Sequence, residues 1–257
     1  MDVSLRTTFD REAERYDRAR PVPPEALVEA IVKAGNFQAG ARVLEVGCGT
    51  GQATLPLARR GLRVHALELG PALASVAQRN LAAYPNVTVE QTAFEAFTSE
   101  TPFDALVSVQ AFHWIEPETG LAHAASLLRP GGALLLAWHQ DLSQETAFYR
   151  ETDPIFKRYE AGLNLNRPVR ESAPERFRSV LEASPDFENV SSVSFPWRHR
   201  YSKERFLELL LTFSNVQALA AAARTPFLGE IAEAIDAHGG SVVRHYESVL
   251  LGAYRRR

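Results

Sequence analysis

The run Val43-Leu44-Glu45-Val46-Gly47-Cys48-Gly49-Thr50-Gly51 decides the fold. A short apolar strand leads into glycines at 47, 49 and 51, and helix-forming sequence follows. Glycine reaches positive φ without a Cβ penalty, so such a turn lets backbone N–H groups approach a ligand at the mouth of a helix. The order strand, glycine turn, helix predicts a cofactor site of the nucleotide-binding type. The spacing is G-x-G-x-G, whereas the dinucleotide fingerprint G-x-G-x-x-G has its third glycine at what is here Gln52. That departure argues against a pyrophosphate. Taken alone, the turn is equally compatible with a plain strand-to-helix connection.

Outward from this turn, residues 41–140 alternate short apolar runs with longer amphipathic segments, which predicts an α/β fold with a parallel sheet covered by helices on both faces. Strands are expected at 42–46, 63–68, 86–91, 104–110 and 132–139, and helices at 52–60, 71–83 and 117–129. Pro71 and Pro117 fall where a first helical turn begins, where a missing N–H costs nothing. Pro56 implies that its helix starts only a few residues earlier or is kinked. Before the sheet, helical segments are expected near 10–18 and 24–34. Beyond 140 the reading is a strand at 190–195, helices at 202–212, 216–223 and 228–237, and a final strand within 242–254.

The chain has 257 residues, 46% hydrophobic and 23% charged, which suits one large folded domain. A net charge of −3 excludes a field strong enough to gather nucleic acid or an anionic membrane surface. No apolar run of about 18 residues occurs, and the start lacks a signal-peptide core. One cysteine, Cys48, suits a reducing cytoplasm. The seven histidines are dispersed and form no H-E-x-x-H, so no metal site is expected. Neither a G-x-S-x-G elbow nor a G-x4-G-K-[ST] loop is present, which removes hydrolase and nucleotide triphosphatase readings.

Glu45 to Gly51 reads acidic-x-G-x-G-x-G and so resembles the first motif of the class I S-adenosylmethionine-dependent methyltransferases. The resemblance implies a Rossmann-like, doubly wound, seven-stranded and mostly parallel sheet with helical cap elements. In that family the loop holds the methionine part of the cofactor. This role falls on Glu45, Gly47, Cys48, Gly49, Thr50 and Gly51. The implied organisation is a single methyltransferase domain over 1–257. It comprises an N-terminal helical cap (1–35), a cofactor core (36–140), cap insertions at 141–185 and 213–240, and the remainder of the sheet at 186–212 and 241–257.

Glu68 ends the second strand, where doubly wound folds place an acid for ribose hydroxyls, with Leu69 beside it. The resemblance puts Ala93 and Phe94 along the adenine, although Ala93 stands where many members carry an acid; Phe94 and Phe97 are equally readable as core aromatics. The fourth strand ends in Gln110-Ala111-Phe112-His113-Trp114, and Gln-x-x-His-Trp resembles the small-molecule subgroup that includes trans-aconitate methyltransferases. Gln110 and Ala111 would then border the methionine moiety. His113 is the best general-base candidate, since imidazole titrates near neutrality, with a pocket-shaping role as the alternative. The run from Phe9 to Pro21 resembles the subgroup's F-x3-A-x2-Y-x3-R-P segment folded over the cofactor. The resemblance implies that Tyr16 would shield the sulfonium and that Arg20 would meet a carboxylate of cofactor or substrate. Leu211-Thr212-Phe213-Ser214 resembles a T-x-S segment near the substrate mouth. Arg20, Arg167 and Arg170 are the arginines expected to meet a carboxylated acceptor.

The expected activity is SN2 transfer of a methyl group from S-adenosylmethionine to an O, N or C nucleophile of a small molecule. Two other readings stay open at this level: a cofactor-binding regulator without turnover, and an NAD-dependent oxidoreductase sharing the ribose acid.

Overall fold

The computed structural model describes residues 10, 12–38, 40–142, 146–161 and 172–257. Arg167 and Arg170, like Phe9 and Arg11, lie outside the described residues. Seven strands form one sheet: β1 (Arg42–Val46), β2 (Arg63–Glu68), β3 (Val87–Gln91), β4 (Phe103–Val109), β5 (Leu128–Asp141), β6 (Phe187–Ser202) and β7 (Ser241–Arg255). Their order is β3-β2-β1-β4-β5-β7-β6. Strands β1 to β5 pair in parallel, while β7 is antiparallel to both its neighbours. The sequence order reverses between β1 and β4, so the crevice of this doubly wound sheet opens beyond their carboxyl ends.

The central strands are apolar without alternation because both faces are covered. Val43 and Leu44, adjacent in β1 and both buried, belong to different hydrophobic clusters, and so do Ala105 and Leu106 of β4. One face packs α2 (Glu25–Gly35), which contributes Leu27, Val28 and Ile31. The other packs α5 (Pro117–Leu127) and α7 (Ala173–Ala183).

Pro71 and Pro117 open α4 (Pro71–Leu81) and α5, as the sequence predicts. Helix α3 (Thr54–Ala58) is shorter than expected, and Pro56 sits in its first turn, where no intrahelical bond is lost. The amino end of α4 is capped from far away: Asp10 Oδ1 accepts from Ala72 N at 2.7 Å and Leu73 N at 3.0 Å. Two elements differ from the sequence reading. Strand β6 runs 16 residues through Pro196, which an edge strand tolerates because its outer N–H groups need no ladder partner. Helix α10 (Ala221–Ala237) is continuous through Pro226 where two segments were expected; Phe227, Ile231 and Ile235 anchor it in a separate core.

That third core is the cap. Phe148, Tyr149 and Phe156 of α6 (Ala147–Arg158) pack with Phe206 and Leu209 of α8 (Lys203–Leu211), with α10, and with Tyr201 and Tyr246 of the long strands. A four-residue turn of helix, α9 (Ser214–Gln217), joins α8 to α10. Helix α1 (Ala13–Ala19) bridges cap and sheet domain through polar side chains. Glu14 takes both Arg79 nitrogens at 2.8 and 3.0 Å, Asn80 donates to Asp17 at 2.9 Å, and Arg18 donates to Glu208 of α8. No helix among the described residues is long and apolar enough to cross a membrane.

Candidate active site

The loop after β1 is held by its own backbone. Gly47 N and Cys48 N both donate to Leu67 O, at 2.9 and 3.0 Å, and Gly51 N donates to Cys48 O at 3.0 Å. Gly49 N donates to Glu68 Oε2 at 2.8 Å, and Gly70 N to Oε1 of the same carboxylate at 2.9 Å. These N–H groups are therefore engaged within the protein, which corrects the expectation that they face a ligand. What the glycines provide is room: Gly47 has φ 71°, and a Cβ there would stand 2.3 Å from Ala111 Cβ. Gly51, at φ 96°, is turned away toward Leu81.

Beyond the carboxyl ends of β1, β2 and β4 lies a cavity of about 290 Å³. Of the residues singled out in the sequence, Tyr16, Arg20, Glu45, Gly47, Cys48, Gly49, Glu68, Leu69, Phe94, Gln110, Ala111 and His113 line it. Thr50, Gly51 and Ala93 do not. Thr50 is buried and its carbonyl accepts from Asn80, so the chain turns from the cavity at Thr50 and Gly51 and meets it again at Gln52. Phe94 lines the cavity while also packing on Phe112 and His123 at 5.6 and 4.8 Å between ring centroids, and Phe97 is a core ring against His65 and Phe103. Thr212 turns its hydroxyl to Leu209 O at 2.7 Å; its neighbour Phe213 is the residue that reaches the cavity.

Burial governs the titration of this site. It pushes the Glu45 carboxyl up to about 7 and Glu68 above its ordinary value despite the backbone bonds. It lowers His113 and His139 to about 4, so both are neutral imidazoles near neutrality. Gln110 follows β4 directly at φ 64°, a left-handed conformation unusual for a side chain of this size. Its N donates to Ala137 O at 2.8 Å and its Nε2 to His139 O at 3.3 Å. A strained residue held this firmly at a cavity wall is a mark of a functional site.

Sequence reasoning missed the far end of the cavity, formed by His139 and Asp141 of β5, Leu209 of α8, and Arg244 and Tyr246 of β7. Arg244 is completely buried, and its Nη2 donates to Asp141 Oδ1 at 2.5 Å. Its guanidinium carbon lies 5.7 Å from the Phe213 ring centroid and 5.3 Å from that of Tyr246. A signal for it existed: Val242, Arg244, Tyr246, Ser248 and Leu250 share the buried face of β7, so an arginine interrupts an apolar period-2 pattern. Among the described residues no group of three His, Cys, Asp or Glu is arranged to hold a metal ion.

A methyltransferase-domain model matches residues 43–132, the stretch from β1 into β5. An uncharacterised methyltransferase of Mycobacterium tuberculosis is 29% identical over 240 residues, covering 92% of this chain and 88% of that protein. A demethylmenaquinone methyltransferase of Tropheryma whipplei is 27% identical over 198 residues, covering 75% of this chain and 81% of its own length. Among solved structures, one assigned as a type II methyltransferase from Anaeromyxobacter dehalogenans is 28% identical with a TM-score of 0.59, covering 92% of this chain and 96% of that one. The methyltransferase-domain match and the methyltransferase relatives, on a sheet of this order, indicate a methyl-transferring enzyme. Together these findings support the class I S-adenosylmethionine-dependent methyltransferases as the family that this chain resembles, with S-adenosylmethionine as the cofactor.

The residues present fit this cofactor. Glu45 Oε2, an acceptor, and Gln52 Nε2, a donor, are buried at the glycine-loop end of the cavity without hydrogen-bond partners among the described residues. An amino acid moiety carries both complements. Each Glu68 oxygen accepts one backbone N–H and keeps acceptor capacity for a hydroxyl.

Proposed function

We propose that this enzyme methylates an oxygen, nitrogen or carbon nucleophile of a small molecule held between the glycine-loop end of the cavity and the cap. The observation that carries the reading is continuity: one cavity is lined by Glu45 and Glu68 at one end and by His139, Asp141, Phe213 and Tyr246 at the other. When bound, S-adenosylmethionine supplies an electrophilic methyl group. In this reading Glu68 takes the ribose hydroxyls, Glu45 and Gln52 orient the amino acid end, and Tyr16 with Arg20 close the site from α1. Arg20 lies 5.2 Å from the Tyr16 ring centroid and 5.0 Å from that of Phe213, at the seam between the two ends.

Alignment rather than proton abstraction carries the rate, since proximity and orientation are worth up to about 7–11 kcal/mol. His113, depressed to about 4, is a weak base, and its buried Nδ1 has no hydrogen-bond partner among the described residues. The proposed role is to shape the cavity wall beside Trp114, 4.9 Å away between ring centroids. The chain acts as one methyltransferase domain with its cap, and a cytoplasmic setting is supported by its single, buried thiol.

Calorimetry with S-adenosylhomocysteine and with NADH tests the reading. Binding of the first and not the second is expected; the reverse revives an oxidoreductase. Methyl transfer to no member of a broad set of hydroxyl, amine and carbon acceptors, with cofactor binding intact, would make the protein a regulator.

A further inference from the structure

The cap end of the cavity holds a charged pair that fold stability does not explain. Arg244 Nη2 rests on Asp141 Oδ1, while its Nε and Nη1 are buried with no hydrogen-bond partner among the described residues. A buried ion pair is often replaceable by apolar residues with no loss of stability, and each unmet donor costs about 1–3 kcal/mol. The pair is also asymmetric: the Arg244 side chain is 1% exposed and that of Asp141 is 35%. Both side chains line the cavity, the guanidinium almost fully covered beside the rings of Phe213 and Tyr246 and the carboxylate the more exposed of the two. Asp141 Oδ2 accepts no hydrogen bond from a described residue. His139, two residues earlier on the same strand face, is neutral and has its Nδ1 on Ser248 Oγ at 2.8 Å, so the other cation on this cavity wall among the described residues is Arg20, beside Phe213 at the seam.

From this geometry we infer that Asp141 is the group that seats the methyl acceptor, accepting a hydrogen bond from an O–H or N–H of that molecule, with Arg244 as the positioning residue beside it. The acceptor class is then a neutral or cationic hydroxyl or amine compound with an apolar body against Trp114, Phe213 and Tyr246. The inference rests on the methyltransferase reading and deepens it. An acceptor whose only polar end is a carboxylate is selected against, because it would bring like charge to Asp141.

The test uses the full chain saturated with S-adenosylhomocysteine and three probes sharing one ring: benzylamine, benzyl alcohol and benzoate, titrated by ligand-observed NMR. Benzylamine and benzyl alcohol should each bind at least fivefold tighter than benzoate, and Asp141→Asn should shrink that ratio below twofold. A purely structural pair would instead shift all three affinities together and leave the ratio alone. Arg244→Met, where it folds, should weaken the amine and alcohol; because Asp141→Asn keeps the side-chain shape, the result does not depend on that second variant. Equal or tighter binding of benzoate to the wild type, a ratio unchanged in Asp141→Asn, or no binding of benzylamine at millimolar concentration overturns the inference. Failure to bind S-adenosylhomocysteine overturns the methyltransferase reading itself, so the two failures are distinct.

Discussion

The two ends of the cavity are built by different physics. The cofactor end is made from neighbours in sequence and backbone hydrogen bonds: Gly47, Cys48 and Gly49 all bond residues at the end of β2, 19 or 20 positions away. The cap end is made from side chains brought together across the chain. Arg244 meets Asp141 over 103 positions, and Arg18 meets Glu208 over 190. Short-range backbone chemistry leaves a motif, because glycine, an acid and a strand must stand at fixed spacing. Long-range side-chain pairs leave none, because each partner is an ordinary charged residue in its own segment.

Gly47→Ala is the hardest test of the cofactor end. Positive φ and a Cβ 2.3 Å from Ala111 Cβ together should destabilise the protein by about 4 kcal/mol. A melting temperature within two degrees of wild type would show that the loop is softer than this comparison assumes.

Glu45→Gln probes the same end through pH. The folded carboxyl titrates at about 7, above its unfolded value, so its stabilising share is present at low pH and lost as pH rises through 7. At pH 8 the buried carboxylate costs on the order of 3 kcal/mol, so the unliganded variant should melt higher than wild type there and equal it near pH 4.5. His113 and His139 act with the opposite sign: lowered to about 4, they withdraw stability as pH falls below about 6.5, and the variant should keep that acid limb. A stability difference independent of pH would place Glu45 in contact with water.

Glu68→Ala removes the acceptor of Gly49 N and Gly70 N along with the proposed ribose ligand. The dissociation constant for S-adenosylhomocysteine should rise at least tenfold, matching about 1.5–3 kcal/mol for a charged hydrogen bond. An unchanged constant in calorimetry would remove the ribose assignment.

Glu208→Gln tests the seam between the ends and should do least. Its partner Arg18 is 56% exposed, so the pair is worth under about 1 kcal/mol and is screened by salt. Cofactor affinity should change less than threefold in 0.15 M salt. A larger effect would mean that α1 is held over the cavity by charge rather than by Ala13 and Ala19, which are buried.

The five parallel strands and their helix starts were readable because apolar runs of five or six residues between glycine and proline admit few alternatives. The strand read as 190–195 and the helix read in two pieces share a feature, since Pro196 and Pro226 stand at the breaks. Proline removes one N–H, and whether that matters depends on whether a partner was waiting, which is a property of the edge position of β6 and of the cap packing around α10. Thr50, Gly51 and Ala93 were named with their neighbours because a motif marks a stretch of chain; only the turn of the backbone selects which of its residues line the cavity.

The sequence by itself therefore determined the five parallel strands and their crevice, which follow from local periodicity and from glycine's freedom at fixed positions, while its resemblance to the methyltransferases indicated the kind of cofactor. Tertiary structure alone decided the acceptor end. Asp141, Arg244 and Phe213 come from three separate segments, and their chemistry arises from mutual burial, which no spacing along the chain encodes.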